Sequence, residues 1–298
     1  MLIALLIPVL LAAVLYAFVL VRAAIARRIV PSLEAVALGA VTNFFDTLGI
    51  GSFAPTMAWL KFRRMVDDRL IPCTMLVGHT PPCMAQAVIF LILLGVIVDP
   101  VLLAGCVVAL LMGGVLGAPL AVRARVWVVQ SVVAVALVIA AALYGMTNLH
   151  LMPGGGTASS LPLGLTMVAI AATFVFGVLL NFGIGNYAPM LVMLSLMGMD
   201  PRLCFPIMAG GAALAGAGAS VRFIAIGEVD LRVAIGITIG GIPAVLVAAF
   251  IVKAMPLEML RWLVIVVVAY AAIVMARAAT KGRNDERLLA ADCAVTPA

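Results

Sequence analysis

Charged side chains are scarce in this sequence: they make up 10% of the 298 residues, whereas apolar residues make up 66%. A soluble domain carries about 25% charged residues, so a chain of this composition lacks the polar surface that such a domain needs. Aromatic residues are also few, at 6%. Together with a mean hydropathy of +1.31, the low charge content excludes an ordinary soluble protein and predicts an all-α membrane protein with several spanning segments.

Cysteine and metal-ligand patterns are sparse as well. The five cysteines show no Cys-x-x-Cys spacing, and four of them fall in apolar segments, which favours small buried residues over disulfides or metal ligands. His79 and Cys83 could share a helix face, but the Pro81-Pro82 pair between them distorts that geometry. We therefore expect no enzyme activity, no metal and no cofactor. The net charge of +6 comes from bases beside the apolar segments, which indicates membrane topology rather than nucleic-acid binding.

Long apolar runs are abundant. Crossing a bilayer takes about 20 residues. Eight runs approach or exceed that length: residues 2–21, 72–98, 100–122, 126–146, 161–180, 203–226, 231–252 and 257–276. No positive charge precedes the first run, whereas Arg22, Arg27 and Arg28 follow it. This pattern favours a retained helix with its amino end outside over a cleaved signal peptide, and residues 1–30 are expected to form a peripheral transmembrane helix.

A short motif occurs twice along the chain. Residues 49–72 match residues 183–206 without a gap at an offset of 134, and eight of the 24 aligned pairs are identical. The identities include Gly49, Gly51 and Pro55, residue types whose backbone roles are hard to replace. The chain is therefore predicted to contain a duplicated fold.

The basic residues predict how the two copies are oriented. If residues 31–60 and 161–199 each form a re-entrant hairpin, 15 of the 18 lysines and arginines lie on one side of the membrane. Only Arg202, Lys253 and Arg261 then lie on the other side. If each stretch is instead a single broken span, the split is nine against nine. The positive-inside rule favours the hairpins, which gives about seven full crossings plus two hairpins, with the carboxyl terminus in the cytoplasm.

This arrangement predicts two inverted repeats, each with a re-entrant or broken helical hairpin. The repeats cover residues 31–147 and 161–280; residues 148–160 form an external linker, and residues 281–298 form a polar, disordered cytoplasmic tail. Inverted repeats with interrupted helices near the midplane recur in secondary transporters, in which one site must open to either face. Non-helical backbone at that depth occurs only where it is buried or lines a wet cavity. The two Gly-Ile-Gly turns therefore mark a candidate binding site.

The residues around these turns are neutral hydrogen-bond donors. A half-helix that starts at a glycine-rich turn directs free backbone N–H groups toward the turn, which suits an anion. The predicted substrate-binding residues combine the turn glycines with nearby polar side chains: Thr47, Gly49, Gly51, Ser52, Asn181, Gly183, Gly185, Asn186 and Tyr187. The alternative is that the polar side chains only cap the half-helices.

Two titratable residues are candidates for proton coupling. Asp46 precedes the first turn, where it either carries a proton or cation or caps the following half-helix. His79 lies in a segment that Pro81 and Pro82 are expected to open, where it either relays protons or is only hydrogen-bonded in place. Three further polar residues are secondary candidates: Asn43, Gln86 and Arg222.

The sequence resembles the TauE/SafE family of sulfite exporters, also described as sulfite and sulfonate permeases. The likeness covers roughly residues 33–276. It rests on the Gly-Ile-Gly hairpin with its downstream Ala54-Pro55, on the glycine-rich return of the second half and on the two-repeat layout. The resemblance implies movement of sulfur-containing oxyanions such as sulfite, sulfoacetate, other organosulfonates or thiosulfate, commonly as export. The residues themselves predict the anion but not the sulfur.

These observations predict a secondary transporter of a bacterial plasma membrane that binds its anion between the two turns and exposes it alternately to each side. An interior-negative potential contributes about 2.3 kcal/mol per charge per 100 mV toward anion exit, so export needs no coupling ion, whereas uptake would. A channel-like anion facilitator and a proton-coupled uptake permease for an organic anion are the alternatives. The expected partners are the anion, protons in the uptake case and the lipid bilayer. Homo-oligomerisation is left open, and no nucleic-acid partner is expected.

Overall fold

The computed structural model describes residues 2–49, 51–67, 70–94, 97–121, 126–149, 156–180 and 185–295. These residues form eleven α-helices, and their only β-feature is an isolated bridge between Ala158 and Met199. Six of the described helices are long and apolar enough to cross a membrane. The protein is thus an all-α polytopic membrane protein, as its composition predicts.

One helix precedes two series of five. The first helix is α1, Leu2–Ala26. The first series consists of α2 (Leu33–Thr47), α3 (Phe53–Arg63), α4 (Ile71–Leu93), α5 (Pro100–Ala121) and α6 (Val126–Asn148). The second series consists of α7 (Leu163–Leu180), α8 (Tyr187–Leu196), α9 (Pro201–Ile226), α10 (Leu231–Ala254) and α11 (Leu257–Val295). Shifted by the 134-residue offset, each helix of the first series begins within four residues of its counterpart.

The two predicted hairpins correspond to the helix pairs α2–α3 and α7–α8, and they are unequal. α2, α3 and α8 have 15, 11 and 10 residues, which is too short to cross a bilayer that needs about 20. α7 has 18 residues and is one of the six span-length helices, together with α1, α4, α9, α10 and α11. α5 and α6, which the sequence predicts to cross, run for 22 and 23 residues and contain shorter apolar segments.

The helices of the two series pack against each other in a reciprocal pattern. α2 lies along α10, and its counterpart α7 lies along α5. α4 and α9 pack together at the centre, while α6 packs on α11. Glycines allow the closest approaches: a Cβ at Gly240 would collide with the backbone of Val36, and a Cβ at Gly113 would collide with the backbone of Phe174. Each half therefore buries its first helix against the other half.

The outer surface of the bundle is apolar. On α1, Val14 and Phe18 are 66% and 64% exposed, whereas Tyr16 between them is 1% exposed and faces α4 and α9. Extended apolar surface of this kind is stable in contact with lipid and not with water. The exposed faces thus match the bilayer setting that the sequence predicts.

The linker and the tail are more ordered than their compositions predict. In the described part of the linker, the Ala158 N–H donates to the Gly198 carbonyl at 3.1 Å, and Nη2 of Arg261 donates to the Gly156 carbonyl at 3.1 Å. The prediction of a disordered tail is wrong, because α11 continues as a helix to Val295. Alanine, leucine, arginine, lysine and glutamate make up nine of the fifteen residues from 281 to 295. All five favour helix, although the stretch as a whole is polar.

An ion pair ties the two legs of the first hairpin together at its open end. Nε of Arg63, at the end of α3, donates to Oε1 of Glu34 in the first turn of α2 at 2.7 Å. The indole N–H of Trp59 donates to the same oxygen at 3.0 Å. These contacts hold α3 against α2 at the end far from the turn.

Candidate functional site

The first turn, residues 48–52, joins the end of α2 to the start of α3. Gly49 and Gly51 have φ angles of 98° and 87°, a left-handed conformation that residues other than glycine rarely adopt. The backbone N–H of Ser52, which precedes α3, donates to Oδ1 of Asp46 at 2.7 Å. Asp46 therefore caps α3 across the turn, which is one of the two alternatives that the sequence leaves open. A role in carrying a proton or cation stays a prediction.

Two other predicted residues bond within α2. Thr47 is fully buried, and its hydroxyl donates to the Asn43 carbonyl oxygen at 2.8 Å. The Thr47 proton is thus engaged, which leaves only the lone pairs of its oxygen for a further contact. Nδ2 of Asn43 donates to the Gly39 carbonyl at 2.7 Å. This bond fixes the orientation of the amide, so Oδ1 of Asn43 serves as an acceptor.

His79 on α4 joins both legs of the first hairpin. Its Nδ1 lies 3.0 Å from Oδ1 of Asn43, and its Nε2 lies 3.0 Å from Oγ1 of Thr56. Because Oδ1 of Asn43 can only accept, Nδ1 carries the proton of the neutral ring and Nε2 accepts from the Thr56 hydroxyl. The ring also packs against Phe53, with centroids 5.7 Å apart. His79 thus fastens α2 and α3 to α4, while a proton-relay role stays a prediction.

Gly241 on α10 closes this network from the other side. A Cβ at Gly241 would lie 2.5 Å from Nδ2 of Asn43 and 2.5 Å from Cγ of Pro82. No side chain fits in that space, so glycine lets α10 pack directly on the Asn43 amide. The amide is therefore held in place by α10 as well as by its own helix.

Two prolines, Pro81 and Pro82, lie inside α4, which nevertheless runs as a continuous helix. A proline has no N–H, so the carbonyl oxygens four residues earlier lose their helical donors. The first of these oxygens belongs to Val77 and accepts from the Tyr16 hydroxyl of α1 at 2.9 Å. α1, predicted as a peripheral helix, thus supplies a buried hydrogen bond to the centre of the bundle.

The second freed carbonyl oxygen belongs to Gly78. It accepts from the Thr238 hydroxyl of α10 at 3.0 Å. The prediction that the proline pair opens α4 is therefore wrong, because side chains of two neighbouring helices replace the two missing N–H donors. Such interhelical bonds contribute about 0.6 kcal/mol on average in membrane proteins and up to about 1.7.

The second turn lies partly outside the described residues, and this holds for Asn181 and Gly183. The described part begins at Gly185 and continues to Asn186, which is buried. Nδ2 of Asn186 donates to the thioether sulfur of Met190 at 3.4 Å. A thioether is a weak acceptor, so the amide of Asn186 retains hydrogen-bonding capacity toward a stronger one.

Tyr187, the first residue of α8, reaches across to α4. Its hydroxyl donates to Oε1 of Gln86 at 3.1 Å, and Sγ of Cys83 lies 3.8 Å from the same hydroxyl. Gln86 is fully buried, and its Nε2 has no hydrogen-bond partner in the described part of the chain. Leaving such a group unpaired costs about 1–3 kcal/mol, so the fold retains an unfavourable feature at this position.

The first turn lies beside the second hairpin. A Cβ at Gly49 would lie 3.3 Å from Leu191 of α8 and 3.9 Å from Val267 of α11. The structure thus places the first turn beside α8, the second leg of the second hairpin, as pairing of the two turns requires.

Two of the predicted glycines have no described residue next to the position that a side chain would take. A Cβ built on Gly51 or on Gly185 would meet no heavy atom of the described chain within 4 Å. Backbone without a side chain next to open space permits close approach of a small ligand. Arg222, by contrast, is exposed on α9, where a charged head can reach the membrane surface.

A surface cleft lies at the opposite end of α3 from the turn. Its volume is about 640 Å³. Two basic and two acidic side chains contribute to its lining: Lys61, Arg64, Asp67 and Asp230. Because the glycine turn is at the start of α3 and Lys61 and Arg64 are at its end, this cleft is separate from the candidate site.

Three residues of the buried network escaped prediction from the sequence. Thr56 does carry a signal, since it follows Ser52 by four residues and so shares its helix face. Tyr16 and Thr238 carry none of their own, because their roles depend on which helices pack against α4. The proline pair indicates that two carbonyl oxygens of α4 lack their helical N–H donors. It does not indicate which side chains replace those donors.

The fold and the site together define a polytopic helical membrane protein with buried polar residues at the first hairpin turn and at the start of α8. Within the described ranges, no group of three or more histidine, cysteine, aspartate and glutamate side chains could hold a metal ion. Comparison with models of known families, with curated proteins and with solved structures finds no match. The function is therefore argued from the site itself.

Proposed function

We propose that this protein is a secondary transporter that exports small sulfur-containing oxyanions, such as sulfite, sulfoacetate or other organosulfonates. The observation that carries the proposal is a set of buried polar groups at the first turn and at the start of α8, where no heavy atom of the described chain lies within 4 Å of a Cβ position at Gly51 or Gly185. Polar groups at membrane depth are costly and commonly mark a path for a substrate or ion.

The anion binds between the two turns. The first N–H groups of α3 and α8 point toward it, because the first turn of any helix lacks intrahelical acceptors. The side chains of Ser52 and Asn186, which directly precede these two helices, add neutral donors. One hairpin then moves relative to the central helices α4 and α9, which exposes the site to one side at a time.

The choice of sulfur oxyanions as substrates and the direction of transport rest on other arguments. The resemblance to the TauE/SafE family supports sulfur oxyanions as the substrates. The membrane potential favours exit of an anion, so export requires no coupling ion. In this proposal the amino terminus is outside a bacterial plasma membrane and the carboxyl terminus is in the cytoplasm, as the distribution of basic residues indicates.

One observation favours a second candidate, proton-coupled uptake. Asp46 is a buried carboxyl group beside the first turn, and it bonds to the Ser52 N–H. A carboxylate next to an anion site disfavours the anion unless the carboxylate takes up a proton. A bound proton on Asp46 would therefore couple anion entry to proton entry.

The test is counterflow with the purified full-length protein reconstituted into vesicles. We expect saturable exchange of sulfite or sulfoacetate, and about tenfold weaker apparent affinity in Ser52→Ala and Asn186→Ala, since one lost hydrogen bond to an anion is worth about 1.5 kcal/mol or more. Ser131→Ala is the matched control, because Ser131 bonds within α6 to the Trp127 carbonyl. Unchanged affinity in both site variants would refute the site, and flux without saturation or counterflow would indicate a channel.

A further inference from the structure

Gln86 is the buried polar residue that the fold leaves incomplete. Its Oε1 accepts from the Tyr187 hydroxyl at 3.1 Å, and this bond fixes which way the amide faces. Both N–H groups of Nε2 are then available, and they find no partner within the described ranges. Native proteins rarely retain a fully buried donor without a partner, and a ligand or an ordered water commonly explains the exception.

The pseudo-equivalent position in the other repeat is satisfied. The 134-residue offset relates Gln86 on α4 to Ser220 on α9. Oγ of Ser220 lies 3.0 Å from Oγ1 of Thr80, within hydrogen-bonding distance. The two halves therefore differ. The hydroxyls of Ser220 and Thr80 pair with each other, whereas Nε2 of Gln86 has no partner among the described residues.

The surroundings of Gln86 belong to the second turn. Tyr187 begins α8, so its neighbours in sequence include the first free N–H groups of that helix. Asn186, the preceding residue, donates from its own Nδ2 to the weakly accepting sulfur of Met190. Two side-chain amides and the helix amino end thus offer donors on this side of the candidate site.

From these contacts we infer that Gln86 binds an oxygen of the transported anion. Nε2 of Gln86 donates to the anion, and Tyr187 is a positioning residue that holds the amide in the donating orientation. This inference rests on the proposed transport function. It extends that function by naming the donor on α4.

The experiment measures binding to the purified full-length protein in detergent by isothermal titration calorimetry. The probe is methanesulfonate, a small organosulfonate whose oxygens can accept hydrogen bonds from Nε2 of Gln86. We expect methanesulfonate to bind the wild-type protein saturably. Gln86→Glu keeps the shape and an acceptor for Tyr187 but replaces the donors by a carboxylate, so it should weaken methanesulfonate binding at least tenfold.

A second variant separates binding from folding. Gln86→Leu combined with Tyr187→Phe removes both polar partners, so the protein should melt at the wild-type temperature or higher while methanesulfonate binding falls at least tenfold. Ser220→Ala is the matched control and should bind like wild type. Equal methanesulfonate binding in wild type and both Gln86 variants would overturn the inference and leave the transport proposal standing. Failure of wild type to bind both methanesulfonate and sulfite would overturn both proposals.

Discussion

Removing the Tyr16 hydroxyl should destabilise the protein by an amount that depends on Pro81. In Tyr16→Phe the ring still fills its site, which is 1% exposed, but the Val77 carbonyl loses the donor that lies 2.9 Å away. The helix cannot supply a replacement, because position 81 has no N–H. Interhelical bonds in membranes are worth up to about 1.7 kcal/mol, and an unpaired buried carbonyl costs about 1–3. We expect a loss of about 1–2 kcal/mol in the free energy of unfolding.

A double-mutant cycle tests the cause of that loss. Pro81→Ala restores an N–H at position 81, which can donate to the Val77 carbonyl within α4. In this background, Tyr16→Phe should cost less than half as much as it does in wild type. The free energy is measured by reversible unfolding in mixed micelles with increasing sodium dodecyl sulfate, followed by tryptophan fluorescence. Tyr270→Phe, a half-buried tyrosine on α11, serves as the control for loss of a hydroxyl alone. An identical loss in both backgrounds would refute the idea that Tyr16 replaces the donor that proline lacks.

Two further predictions concern the site. Asp46→Asn keeps an acceptor for the Ser52 N–H and should unfold like wild type, whereas Asp46→Ala should lose about 1 kcal/mol of unfolding free energy in the same measurement. If Asp46 also carries the coupling proton, Asp46→Asn abolishes the pH dependence of transport. An unaltered pH profile excludes that role. Gly241→Ala places a methyl 2.5 Å from the Asn43 amide and should lower both stability, by about 1–3 kcal/mol, and counterflow. Gly145→Ala, with open space around its Cβ position, is the control, and equal melting temperatures for the two variants would contradict the packing argument.

The turns and the helical segments could be predicted because their signals are local. Apolar runs of spanning length and a repeated Gly-Ile-Gly motif lie within short stretches of sequence. Gly49 and Gly51 do adopt positive φ angles, as a glycine-rich turn suggests. The helical tail after Lys281 was missed because its polarity suggested disorder, although its residues favour helix.

The partners within the site could not be predicted, because they depend on which helices meet. The sequence leaves two roles open for Asp46, capping a helix or carrying a proton or cation. Only the folded turn shows that its carboxylate accepts from the Ser52 N–H. The sequence around His79 does not indicate that its two ring nitrogens bond to different legs of the first hairpin, one to Asn43 on α2 and the other to Thr56 on α3. Gln86 was a secondary candidate by sequence, and its unpaired amide is visible only once Tyr187 is placed against it.

The reciprocal packing of α2 on α10 and of α7 on α5 bears on how the chain is made. During synthesis, α2 enters the membrane long before α10 leaves the ribosome. The polar residues of α2 therefore lack their contacts with α10 until the second half is made. Neither half can complete its own core, which makes the two halves a single cooperative folding unit rather than two domains in series.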